Sequence, residues 1–228
     1  MKLSISMSRR EIVFGWLLMA GQLLILPTLA VTINSFLPAP LSIASMNILL
    51  FGVEFLLAIL IFQRFLLASA KRALGAPFRC LRFAALGLGL YYLTSFLVGL
   101  LITAVSEDFL NLNDDTISQM AQENYLLIGI STVFLVPFTE ELLYRGLIFR
   151  SLHGKSRLAA YVVSAAVFSV IHVASYIGTA SAEVLLLSFL QYIPAGFLLG
   201  WAYEKADTIW APILMHITIN QISISLMR

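Results

Sequence analysis

Apolar residues run along this chain in blocks much longer than a soluble strand needs, with polar residues gathered in the gaps between them. A helix needs about 20 mostly apolar residues to cross the hydrocarbon core of a bilayer. Seven blocks approach or exceed that length: residues 11–37, 42–66, 82–105, 125–150, 158–178, 182–203 and 207–227. In lipid a helix satisfies its own backbone polar groups, so the pattern predicts an all-α, polytopic integral membrane bundle of about seven transmembrane helices. The first block follows Arg9 and Arg10 but outruns the roughly 7–15 apolar residues of a signal peptide, and no A-x-A site follows it. It is therefore expected to be a retained span. The last two blocks are joined by a very short link at Glu204-Lys205-Ala206-Asp207, as befits antiparallel neighbours.

Composition strengthens this picture. Hydrophobic residues make up 60% of the chain and charged residues 11%, with a mean hydropathy of +0.94. A soluble domain averages roughly 45–50% apolar and about 25% charged, so lipid is the expected solvent and nucleic acid is not an expected partner. The lone cysteine, Cys80, excludes an intramolecular disulfide and a cysteine-based zinc or iron–sulfur framework, and reads as a small apolar filler. With no internal repeat, low-complexity stretch or soluble appendage, residues 1–228 read as a single membrane domain.

Charge placement orients the bundle. Lys2, Arg9 and Arg10 precede the first block; Arg64, Lys71, Arg72, Arg79 and Arg82 surround the second connection; Arg150, Lys155 and Arg157 fill the fourth, and Lys205 sits in the sixth. The third connection, Ser106 to Asn124, carries Glu107, Asp108, Asp114, Asp115 and Glu123 with no cation, and reads as a solvated external loop. The positive-inside rule then places the N-terminus in the cytoplasm.

An ionisable residue at the centre of a membrane helix costs roughly 2.5–3.5 kcal/mol on insertion scales, so each one calls for a reason. The fourth block contains Pro137, Glu140, Glu141, Tyr144 and Arg145. Glu141 and Arg145 are four apart with the acid first, the favourable order for an intrahelical ion pair. Glu140 projects about 100° away around the helix and is left as the reactive carboxylate. Pro137 removes a backbone donor just upstream, freeing a carbonyl. The fifth block contributes His172; the seventh contributes His216 and Asn220, four apart on one face. Measured at about 1.5 Å per residue from the basic ends of their helices, Glu140 lies roughly 15 Å deep, His172 about 22 Å, His216 about 14 Å and Asn220 about 20 Å. Residues found at similar depth on three helices can share one site. Glu54, well inside the second block, has no such account, whereas Gly196 and Gly200 form a G-x-x-x-G step suited to close helix packing. His153 falls in a connection and is expected to be solvated.

A carboxylate, two imidazoles and an amide in a dry pocket suit hydrolysis of an amide bond. Glu140 and His172 can hold and deprotonate a water, while His216 and Asn220 can donate to the developing oxyanion. The same set suits zinc, with Glu140, His172 and His216 as ligands and an open position for water. The residues leave both mechanisms open. There is neither an H-E-x-x-H helix nor a G-x-S-x-G serine motif.

These residues resemble a known family. Glu140-Glu141-Leu142-Leu143-Tyr144-Arg145 is similar to the E-E-x-x-x-R motif of the CAAX protease and bacteriocin-processing (CPBP, or Abi) membrane proteins. Phe168 to His172 matches their F-x-x-x-H motif, and His216 to Asn220 their H-x-x-x-N motif. The resemblance makes 125–227 the catalytic core and 1–124 a set of variable N-terminal helices. It implies an intramembrane endopeptidase in which Glu140 and His172 activate water, His216 and Asn220 stabilise the oxyanion, and Glu141 and Arg145 support the site. Family members are labelled both metalloprotease and metal-free glutamate peptidase, so the cofactor stays open between zinc and none. The expected partners are membrane lipid and a peptide or protein substrate reaching the site within the bilayer, and the expected location is a bacterial plasma membrane. Two rivals remain: a non-catalytic bacteriocin self-immunity or scaffold protein, and a small transporter whose buried acids carry protons.

Overall fold

The computed structural model describes residues 3–227, and Lys2, counted among the N-terminal cations above, lies outside them. Within these residues the chain forms seven long helices. They are α1 (Arg9–Ser35), α2 (Ile43–Gly75), α3 (Pro77–Val105), α4 (Leu112–His153), α5 (Arg157–Ala174), α6 (Ala182–Ala206) and α7 (Trp210–Leu226). The first six are long and apolar enough to cross a membrane, and α7 is slightly shorter, at 17 residues. All seven expected spans therefore appear as helices in one bundle, and the chain is an integral membrane protein.

Several boundaries differ from expectation, each for a local reason. Helix α2 runs on to Gly75 and α3 starts at Pro77, leaving Ala76 alone between them. Proline is well suited to the first position of a helix, where its missing N–H has no intrahelical partner to lose. The acidic third connection is mostly not a loop. Asn111 caps a helix there, its side chain accepting from the N–H groups of Asn113 and Asp114. Asp114 and Asp115 then occupy the first turn, where the helix dipole favours negative charge. This acidic stretch is the beginning of α4, separated from the rest by a kink at Asn124 (φ −152°, ψ 87°).

Helix α4 is the most enclosed of the six long helices. Half of its most apolar window is buried, against 6% for α3 at the rim. The most extensive helix pair is α5 with α6, and glycine makes that approach possible. A Cβ on Gly196 would fall 2.8 Å from Ala165 Cα of α5, while one on Gly200 would fall 3.0 Å from Phe149 of α4, so the same face of α6 is also pressed against that helix. The G-x-x-x-G step is thus a packing device, as its spacing suggested.

The basic end of the bundle is tied by buried polar groups. Glu204 is 1% exposed; it accepts from Arg157 at 2.9 Å and from Tyr161, and pairs with His153 at 3.0 Å. His153 is therefore folded inward rather than solvated, and its ring stacks on Phe149. Asp207, in the left-handed conformation that ends α6, accepts from Ser4 and Arg72. Glu11 closes a capping box with Ser8 and also accepts the Phe65 N–H at 2.8 Å. That donor lies one turn beyond the kink at Phe62, where the regular helical ladder is interrupted.

Candidate active site

Two prolines shape their helices in the same way. In α1 and α4 a π-helical turn, Gly21–Ile25 or Ser131–Leu135, is followed two residues later by proline, at Pro27 and Pro137. In the π register the N–H of Val136 reaches Ser131 O. The next acceptor in that register, Thr132 O, faces Pro137, which has no N–H to give. Asn220 of α7 supplies the missing donor: its Nδ2 reaches Thr132 O at 2.7 Å. The carbonyl freed by Pro137 thus anchors α7 to α4 beside the candidate site.

Beyond Pro137, a second π segment, Glu141–Phe149, carries the Glu141–Arg145 pair. Both side chains are fully buried and the ion pair closes at 2.9 Å, as the four-residue spacing predicts. Arg145 also donates to Gly196 O at 3.1 Å. The same Glu141 oxygen accepts from His216 Nδ1 at 2.8 Å, so Glu141 is bound to the seventh helix as well as to Arg145. The second nitrogen of His216, Nε2, stands 3.8 Å from Glu140 Oε2. Glu140 is 6% exposed and its Oε2 has no hydrogen-bond partner among the described residues.

His172 is fixed differently. Its Nδ1 lies 2.8 Å from Phe168 O. A carbonyl only accepts, so Nδ1 carries the hydrogen and Nε2 keeps a lone pair. The ring is held between Phe168 and Tyr192, with centroids at 4.4 and 4.3 Å. Phe168 is itself buried and meets Tyr144 edge-on at 5.7 Å, His216 at 5.9 Å and the Arg145 guanidinium at 4.5 Å.

Glu140, His172, His216 and Asn220 all line one cavity of about 300 Å³. Glu141 and Arg145 stand behind it. The acidic start of α4 closes the other side, where Asn113 and Asp114 bond to Tyr192 Oη at 3.0 and 2.9 Å. These covering residues escaped sequence reasoning because the stretch read as a solvated loop; the capping pattern at Asn111 was the available signal. Glu54 is 1% exposed with an unpartnered Oε2, and follows the cavity-lining Asn47 and Phe51 at helical spacing on α2.

The donor set does not close around a metal. Among the described residues no three His, Cys, Asp or Glu side chains are grouped as a metal ion requires.

Comparison with known proteins places this site in context. The UPF0177 protein YxdF of Lactococcus lactis is 29% identical over 86 residues, which are 38% of this chain and 42% of that protein. No solved structure matches the chain. Residues 122–222 match the family model for type II CAAX prenyl endopeptidase Rce1-like proteins, and the matched segment contains Glu140, His172, His216 and Asn220. Through that segment the chain is similar to these membrane endopeptidases.

Proposed function

We propose that the protein is an intramembrane endopeptidase that hydrolyses a peptide bond of a membrane-associated peptide or protein without a metal. One observation carries this reading: the buried Glu140, whose Oε2 accepts no hydrogen bond among the described residues, lines the same cavity as His172, His216 and Asn220.

In this mechanism a water lies between Glu140 and the lone pair of His172 Nε2. As the water oxygen attacks the scissile carbonyl carbon, its proton passes to Glu140, and the carbonyl π electrons move to oxygen. The resulting oxyanion accepts from the second N–H of Asn220, the first being held by Thr132 O, and from Nε2–H of a doubly protonated His216. Glu141, paired with Arg145, holds His216 Nδ1 in place throughout. Collapse of the intermediate expels the amine, which takes the proton back from Glu140. General acid–base groups contribute roughly 10²–10⁴-fold, and one oxyanion donor about 10²–10³-fold.

The cation-rich end of the bundle and the Lactococcus relative support a bacterial plasma membrane as its site. The test is cleavage of membrane-inserted peptides by the purified protein in liposomes, with products identified by mass spectrometry. Activity is expected to survive 1,10-phenanthroline and to vanish in Glu140→Gln. Loss of activity to the chelator with recovery on adding zinc would overturn the metal-free step; full activity in Glu140→Gln would overturn the role of Glu140.

A further inference from the structure

The cavity has a charged wall that the hydrolytic mechanism does not use. Asp114, in the first turn of α4, lines it opposite the basic end, together with the four residues above. One carboxylate oxygen accepts from Tyr192 Oη at 2.9 Å, and Tyr192 lies against the His172 ring. Asp114 is thus one aromatic ring away from His172, which holds the water in the proposed mechanism. None of the described residues lining the cavity is Lys or Arg, although two, Glu140 and Asp114, are carboxylates. The sequence carries no Lys or Arg at all between Arg82 and Arg145, while Glu107, Asp108, Asp115 and Glu123 lie at the same end as Asp114. A partly enclosed site with one sign of charge at its mouth concentrates ligands of the opposite sign. An ion pair formed there is screened less than one on an open surface.

We propose that Asp114 forms a subsite for a positively charged group of the substrate, a protonated amine beside the scissile bond. This rests on the reading of the cavity as the substrate site. It deepens that reading by naming the substrate class: an apolar, membrane-inserted segment interrupted by a cation. Glu140 lines the same cavity, so the two carboxylates face one space.

Binding separates this proposal from the chemistry. The probes are two twelve-residue Leu/Ala peptides in liposomes, alike except for one central Lys or Gln, each made with a free and with an acetylated N-terminus. Affinity is measured on the full chain carrying Glu140→Gln, so that bound peptide stays intact. The Lys peptide is expected to bind at least about tenfold tighter than the Gln peptide. Adding Asp114→Asn, which keeps an acceptor for Tyr192 but removes the charge, should abolish the difference. Asp114→Ser serves as a second neutral variant should the first fail to fold. The acetylated pair isolates the side-chain ammonium from the terminal amine, which both free peptides share. Equal affinity for Lys and Gln in both peptide forms, or a preference that persists without the Asp114 charge, would overturn the proposal. A Lys preference in a protein that cleaves nothing would sink the peptidase reading and leave the cation subsite standing.

Discussion

The basic end of this bundle and its middle treat buried charge in opposite ways. At the basic end, Glu204, Asp207 and Glu11 are each surrounded by donors from other helices or from the N-terminal segment. In the middle of the bundle, by contrast, Glu140, Glu141 and Glu54 each keep one buried carboxylate oxygen without a hydrogen bond among the described residues. Unsatisfied groups of this kind are unfavourable in any interior and more so in lipid. The difference teaches where the fold invests its polar groups in stability and where it leaves them available for chemistry.

Four substitutions break or sharpen this contrast, in descending order of effect. Glu140→Gln should lower cleavage at least about 10³-fold, since it removes both the base and the later acid. Its thermal midpoint should match the wild type, because the amide keeps the shape and Oε2 gives up no hydrogen bond; a large loss of stability would place Glu140 with the structural acids. Asn220→Ala should lower kcat about 10²-fold with little change in KM, as expected for a group acting mainly in the transition state. A rise in KM alone would make Asn220 a ground-state contact. Glu204→Ala should do the reverse of Glu140→Gln: it should destabilise the fold by about 2–3 kcal/mol, stranding buried partners, while leaving turnover per folded molecule unchanged. Reversible unfolding in mixed detergent measures the first and active-site titration the second. Pro137→Ala is the mildest. It restores an N–H that competes with Asn220 for Thr132 O, so activity should fall only about threefold, with stability unchanged or higher. A wild-type rate would show that this carbonyl has no part in orienting Asn220.

Much of this was legible in the chain because lipid leaves so few alternatives. Long apolar blocks fix helices, and cations in alternate gaps fix an order of ends. The Glu141–Arg145 pair follows from spacing alone, as does the freed carbonyl at Pro137. What could not be read is whatever depends on two helices meeting. No local pattern says that Glu141 also holds His216, or that Asn220 is the donor Thr132 lacks. His153 looked solvated because its neighbours in sequence are polar, yet its partner Glu204 comes from a helix 51 residues away. The acidic connection misled for a similar reason: its helix is short of apolar residues, and half of its polar contacts are with Tyr176, Gln191 and Tyr192.

Phe168 deserves a mechanical description. Its ring bears on His172, His216, Arg145 and Tyr144 at once, so side chains from α4, α5 and α7 share one rigid plate. Three helices are in this way referred to a single bearing surface, and trimming that one ring would loosen the fit of all three together.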